Sequence, residues 1–328
     1  MYVANSKRYN NMVYNRCGNS GLKLSAISLG LWHNFSNQDD FYNMKKMVYT
    51  AFDNGIVHFD IANNYGGGSA EENFGKILHY DFAKYRDELC ISTKAGYEMW
   101  DGPYGDKNGS RKYLISSLDQ SLKRLGLDYV DIFYHHVYDP NTPLEETALA
   151  LDQIVRQGKA LYVGVSNYNK RNTAKILEIF RELKTPFVIN QPACSMFNRW
   201  IEEDGLDEFA KEQGFGLIAY SPLAQGMLTD RYLKGIPKDS RIGKGNTWLN
   251  QQLTTERRIQ IIKLNELAKN RGQKLSQMAV SWLLRNDKIT SVLVGASKPE
   301  QILENVEAVH RTTFSEDELN EIEKILKG

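Results

Sequence analysis

The sequence predicts an α/β fold, a (β/α)8 TIM barrel with an N-terminal β-hairpin and extra C-terminal helices. Three observations predict it. Short apolar runs alternate with helical patterns along the chain, which implies a parallel sheet. Eight such units fit within 328 residues, and a core of roughly 250 residues is typical when eight βα units close. Each apolar run also ends on polar or titratable residues, as barrel strands do at the face that carries chemistry.

In chain order, Tyr9 to Leu24 holds a Gly/Asn turn between two short runs and reads as the hairpin, which would plug the barrel floor. Strand runs follow at Ala26–Leu31, Ile56–Asp60, Leu89–Thr93, Tyr129–Tyr134, Ala160–Val165, Phe187–Ile189, Phe215–Ala219 and Ser291–Val294. Helical spacing appears over Phe41–Asn54, stopped by Gly55, and from Ser69 to about His79, where Ser69 and Glu72 are spaced as a capping box. Ser110 opens a helix to Leu125, stopped by Gly126; Leu144–Arg156 and Lys170–Arg181 follow, and Gly205–Gln213 precedes the seventh run. A long loop spans about Leu223 to Thr254, then helices near Thr255–Asn270, Ser276–Asn286, Pro299–Val309 and Ser315–Leu326. No linker or low-complexity tract interrupts the pattern, so residues 1–328 read as a single domain.

A net charge of +1 gives no field for nucleic acid or an anionic membrane. No run approaches the ~18 apolar residues of a membrane span, and Met1 to Arg16 lacks the apolar core of a signal peptide. Three widely spaced cysteines, Cys17, Cys90 and Cys194, argue against a disulfide framework and fit a cytoplasmic setting. The histidines show no paired ligand spacing, so no metal is expected. No Rossmann or Walker glycine pattern is present.

The chemistry is read from the strand ends. Asp60 closes the second barrel run, Lys94 the third and His136 the fourth, and Tyr65 stands in the loop after Asp60. Alone, Asp60 reads as a turn acid, Tyr65 as a loop aromatic, Lys94 as a surface cation and His136 as a core histidine. At one end of one barrel they read as a proton-donating site. A phenol with a pKa near ~10 is a weak acid at neutral pH. A neighbouring cation would lower that value, and Lys94, anchored by Asp60, is the candidate. His135, adjacent to His136, would point to the opposite face of its strand.

At these positions the chain resembles the aldo-keto reductases. Asp60 and Tyr65 lie in Asp-Ile-Ala-Asn-Asn-Tyr-Gly, Lys94 in Ser-Thr-Lys-Ala-Gly, and His136 five residues after Asp131 in Asp-Ile-Phe-Tyr-His-His. Gly164-Val-Ser-Asn-Tyr, Asn190-Gln191, Ser221-Pro-Leu-Ala-Gln-Gly and Gly295-Ala-Ser-Lys-Pro-Glu-Gln extend the likeness along nearly the whole chain. The resemblance implies NADP(H)-dependent reduction of small aldehydes or ketones, such as L-glyceraldehyde 3-phosphate or methylglyoxal. Tyr65 would be the general acid, and His136 would align the carbonyl.

It also implies that Ser166, Asn167 and Gln191 hold the carboxamide and that Tyr220 stacks on the nicotinamide, with Trp32 and Asp60 beside it. Ser221, Leu223, Gln225 and Gly226 would follow the pyrophosphate, with Arg231 and Arg241 closing over it. Gly295, Ser297, Lys298, Gln301, Glu304 and Asn305 would take the adenosine end. Ser297 and Glu300 are spaced as a capping box at a helix start, where Lys298 suits a 2′-phosphate. Trp32, Tyr65, Trp100 and His136 would line the substrate pocket, with Trp248 as a further wall and Lys107, Arg111 and Arg199 as contributors to a phosphate site.

A small-molecule carbonyl is the expected partner, and the reading admits a homo-oligomer. A nicotinamide-sensing regulatory subunit, like the potassium channel β subunits of the same family, is the alternative. Those carry Asn where this chain has His136. A Schiff-base aldolase using Lys94 is a third reading, opposed by the cofactor segments.

Overall fold

The structure is a computed structural model that describes residues 2–327 apart from 234, 239 and 241. Strands β1 (Tyr14–Arg16) and β2 (Lys23–Ser25) form an antiparallel hairpin with Tyr14 opposite Ser25. Eight parallel strands follow: β3 (Ile27–Gly30), β4 (His58–Asp60), β5 (Cys90–Ala95), β6 (Val130–His135), β7 (Ala160–Ser166), β8 (Phe187–Gln191), β9 (Gly216–Tyr220) and β10 (Ser291–Val294). They pair in sequence, and β10 pairs with both β9 and β3, closing a barrel. Closure leaves the sheet no unpaired edge.

The period-two pattern of each strand sorts its side chains into two cores. Cys90, Ile132, Ile189, Ile218 and Leu293 cluster inside the barrel. Their strand neighbours Ile91, Phe133, Leu217 and Val292 join the second cluster, with helical residues such as Phe74, Leu118 and Ile176. Cys17 and Leu24 of the hairpin are fully buried in the inner cluster, and the Asn19 amide donates to the Gly214 carbonyl at 2.9 Å. The hairpin therefore closes the end opposite the strands' C termini. The close approach requires glycine at Gly18: its φ is +55°, and a Cβ there would lie 2.1 Å from the Gly214 oxygen.

The outer helices are α1 (Phe41–Asp53), α2 (Ser69–Ile77), α3 (Arg111–Leu125), α4 (Leu144–Arg156), α5 (Lys170–Leu183), α6 (Trp200–Asp204), α7 (Leu206–Gln213), α8 (Thr247–Gln252), α9 (Thr255–Asn270), α10 (Leu275–Leu283), α11 (Pro299–Val306) and α12 (Glu316–Lys327). Local chemistry sets several ends. Ser110 accepts from the Tyr113 amide at the start of α3, and Gly126 ends it at φ +66°.

Two expected capping boxes do not form. Gly68, not Ser69, stands at the α2 cap; the Ser69 hydroxyl donates back to the Gly66 carbonyl at 2.7 Å. Lys298 occupies the α11 cap with Pro299 behind it, and the Ser297 amide and hydroxyl both donate to Gln301 rather than meeting Glu300. The turn just upstream takes Ser69, whereas the Gln301 side chain inside α11 takes Ser297. The long loop after β9 is not bare: it carries α8 and short 3-10 turns at Ala224–Gly226 and Asp230–Tyr232. Helix α6 was not expected from the sequence.

Candidate active site

At the C-terminal mouth the expected catalytic residues converge. Asp60 ends β4, Lys94 lies in β5, and His136 follows β6 directly, its amide donating to the Ala95 carbonyl at 2.9 Å. Tyr65 opens a tight turn in which Gly66, Gly67 and Gly68 all have positive φ, a path that side chains resist. That turn folds the phenol back over the mouth. The Lys94 ammonium donates to Asp60 Oδ2 at 2.5 Å and to the Ile61 carbonyl at 2.7 Å, with both side chains buried. It lies 5.2 Å from the Tyr65 ring centroid. The His136 ring sits edge-on to Tyr65 at 6.0 Å and to Tyr97 at 4.6 Å.

Burial dominates the electrostatics. It lowers the Lys94 pKa, which the Asp60 charge and hydrogen bond oppose. Burial holds the His136 imidazole well below its usual value, helped by Lys94 and then His135, so the ring is neutral at physiological pH. Its Nδ1 is buried without a hydrogen-bond partner among the described residues.

Tyr65 differs from expectation. Its side chain is only half-buried, yet enough protein surrounds its hydroxyl to push its pKa well above the usual phenol value, with Asp60, Tyr220 and Tyr97 adding to the rise. The net shift is upward despite the nearby Lys94 ammonium, whose charge the Asp60 carboxylate at 2.5 Å largely offsets. A phenol in this setting holds its proton until a stronger base arrives.

Asp60 is itself held from below. Ser92 Oγ donates to its Oδ1 at 2.6 Å, and Gln191 Nε2 donates to the same oxygen at 3.2 Å. His58 bonds the Ser92 and Ser28 hydroxyls at 2.9 Å each. The sequence reading passed over His58 and Ser92. Each stands two residues before Asp60 or Lys94, so strand periodicity alone placed them on the same inner face.

His135, as expected, faces away, bonding the Tyr168 hydroxyl at 2.6 Å. Burial takes the pKa of both His58 and His135 from 6.5 to about 4. The unfolded chain takes up these protons as pH falls below about 6.5, whereas the fold resists them until about 4. Stability should therefore be full above that window and decline through it, and the slope of urea midpoints between pH 7.5 and 4.5 should flatten in His58→Gln.

The residues expected to hold a dinucleotide ring the same mouth. Ser166 and Gln191 end β7 and β8, and the Ser166 hydroxyl donates to the Gln191 carbonyl at 2.8 Å. The Tyr220 hydroxyl at the end of β9 donates to Asn167 Oδ1 at 2.8 Å. Backbone strain gathers here: Asn34, Asn167, Ser221, Ala224 and Gln225 all have positive φ, a cost that functional sites tolerate. Leu223 and Gly226 border the same turn, and Arg231 lies on the next one. Arg241 falls outside the described residues.

Across β10, Gly295, Ser297 and Lys298 are exposed. On α11, Asn305 is 2% exposed with its Oδ1 unpartnered among the described residues. Glu304 is tied by Lys274 at 2.6 Å and by Ser276, so its carboxylate is already engaged.

The expected pocket walls are less unified. Trp32 stacks on His33 at 4.1 Å and lies 6.1 Å from Tyr65. Trp100 instead packs 5.8 Å from Tyr113 of α3, and Trp248 sits exposed on α8 with no ring contact to Tyr65 or His136. Arg199 does not contribute a spare cation: Glu202 and Glu323 both bind its guanidinium. Lys107 is exposed, and Arg111 leans on the Leu149 carbonyl. No metal-ligating cluster occurs among the described residues, and none of their helices is long and apolar enough to cross a membrane.

Comparison with known proteins agrees with this architecture. A profile described as "Aldo/keto reductase family" matches residues 26–327. The chain is 54% identical to the L-glyceraldehyde 3-phosphate reductase of Escherichia coli (strain K12), covering 99% of this chain and 95% of that protein. It is 35% identical to a probable voltage-gated potassium channel subunit beta of Oryza sativa subsp. japonica and 36% identical to one of Arabidopsis thaliana, each over 91% of both chains. A closed eight-stranded barrel, a family profile matching residues 26–327 and identity over nearly the full length place this chain in the aldo/keto reductase family.

Proposed function

We propose that this protein reduces small aldehydes and ketones to alcohols with NADPH, with L-glyceraldehyde 3-phosphate and methylglyoxal as candidate substrates. The observation that carries the proposal is the buried Lys94–Asp60 pair, 5.2 Å below the Tyr65 ring and beside a neutral His136. The dinucleotide supplies hydride to the carbonyl carbon. This chain's residues manage the oxygen.

The neutral His136 imidazole donates a hydrogen bond to the carbonyl oxygen and orients it. Charge that develops on that oxygen draws the proton from the Tyr65 hydroxyl. The phenolate left behind faces the Lys94 ammonium, which stabilises it, while Asp60 holds Lys94 in place. Ser166, Asn167, Gln191 and Tyr220 would hold the nicotinamide end. The orphaned, buried Asn305 oxygen fits an adenine amine, and the strained Ser221–Gln225 turn fits a backbone that follows a pyrophosphate. Lys298, exposed at the start of α11, is the cation for a 2′-phosphate.

Lys298→Glu should raise the NADPH KM by about tenfold or more and leave the NADH KM nearly unchanged. Equal changes with both cofactors would overturn the 2′-phosphate assignment. The wider test is a kcat/KM survey over phosphorylated and unphosphorylated aldehydes with both cofactors. Turnover of a phosphorylated triose supports the proposal. Tight cofactor binding without turnover of any carbonyl supports the alternative of a nicotinamide-sensing regulatory subunit; two plant relatives are named as probable potassium channel subunits beta.

A further inference from the structure

Part of the barrel interior is polar, and five of its buried side chains form one hydrogen-bonded chain. Ser291 Oγ donates to the Ser25 carbonyl at 2.7 Å and meets Ser28 Oγ at 2.6 Å. Ser28 Oγ meets His58 Nδ1 at 2.9 Å, His58 Nε2 meets Ser92 Oγ at 2.9 Å, and Ser92 Oγ reaches Asp60 Oδ1 at 2.6 Å. All these side chains are essentially buried. The chain spans β2, β3, β4, β5 and β10 and ends on the carboxylate that grips Lys94.

Proton counting fixes its direction. Asp60, paired with Lys94, is a carboxylate and can only accept, so Ser92 donates to it. Ser92 has no second proton and must accept from His58, which makes Nε2 the protonated nitrogen. A neutral imidazole then accepts at Nδ1 from Ser28. Burial, assisted by Lys94 and opposed by Asp60, the charged groups acting on this ring, keeps it neutral at physiological pH. Five contacts thus have four protons, since three serines and one neutral imidazole give one each. The deficit falls at the far end, where Ser291 cannot serve both Ser25 and Ser28. The links nearest Asp60 are complete, and the weak link is remote from it.

We propose that His58 is a positioning residue for the reductive site, holding the Ser92 hydroxyl so that it donates to Asp60 and fixes the carboxylate that carries Lys94. The inference rests on the reading of Tyr65 and Lys94 given above. No substrate or cofactor atom touches His58 in this role. A Ser92 hydroxyl without the His58 donor rotates more freely, and Asp60 then loses one of the two donors that fix its Oδ1, the other being Gln191 at 3.2 Å.

The test uses full-length His58→Leu, His58→Gln, Ser92→Ala and Ser291→Ala, with Tyr65→Phe run alongside. His58→Leu and Ser92→Ala should each lower kcat about tenfold, with the cofactor Kd unchanged. His58→Gln, which can donate one bond and accept another, should recover most of that loss, and Ser291→Ala should match the parent. Nitrogen-15 spectra should show His58 as the neutral Nε2–H tautomer in the parent protein, which tests the direction of the chain without turnover. Unchanged kcat in His58→Leu and Ser92→Ala beside an inactive Tyr65→Phe overturns the positioning role alone. Losses that simply track thermal stability in all four variants, or an Nδ1–H tautomer, overturn it too. An active Tyr65→Phe overturns the reading of the site instead.

Discussion

Tyr65→Phe is expected to lower kcat for carbonyl reduction by about 10²- to 10⁴-fold, the range that positioned acid catalysis contributes. The cofactor Kd and the thermal midpoint should stay close to those of the parent. The hydroxyl has no hydrogen-bond partner among the described residues, so its removal leaves no buried group orphaned and the ring keeps its packing. A tenfold or smaller loss would mean that another group delivers the proton.

The pH profile gives a second readout. An acid must be protonated to act, so activity is lost as pH rises through its pKa. Burial first, then Asp60, pushes the Tyr65 pKa well above 10, so in the uncomplexed enzyme no alkaline limb from this group should appear between pH 6 and about 9. A limb near neutral pH in kcat/KM would show that the phenol titrates early, against the upward push of burial and Asp60.

Lys94→Met should do more harm to the fold than Tyr65→Phe and comparable harm to turnover. It leaves the Asp60 carboxylate, 1% exposed, with no counter-charge at the point where 2.5 Å separated the pair. Breaking a buried ion pair from one side costs about 3–5 kcal/mol, readable as a drop in the urea midpoint. Adding Asp60→Asn removes the orphaned charge while the new side-chain oxygen still accepts from Ser92 and Gln191. The double variant should therefore regain part of the lost stability and none of the lost activity. If it is as unstable as Lys94→Met alone, charge burial is not the source of the defect.

The positions of these residues were readable because strand periodicity is local. Asp60, Lys94 and His136 each end an apolar run, and closing the barrel brings those ends to one rim. Helix α3 was bounded on both sides by residues that act within a turn, Ser110 and Gly126. The misses involve choices between competing partners. Ser69 and Ser297 each had the right spacing for a capping box, yet a nearer or better-placed acceptor took the hydroxyl. Arg199 looked available for a phosphate until the fold brought Glu323 to it from 124 positions away. Residue type alone assigns Trp100 and Trp248 to the pocket, whereas the fold packs Trp100 against Tyr113 and leaves Trp248 exposed on α8.

By itself the sequence determined the eight-stranded barrel, the hairpin and the rim on which the reactive side chains stand, since alternation, turn glycines and strand ends are properties of neighbouring residues. Only the tertiary structure decided how charge is balanced at that rim. Whether Lys94 lowers the Tyr65 pKa depends on how much water the surrounding elements exclude and on how closely Asp60 already holds the ammonium. Desolvation is summed over residues from every strand of the barrel, and no local stretch of sequence contains it.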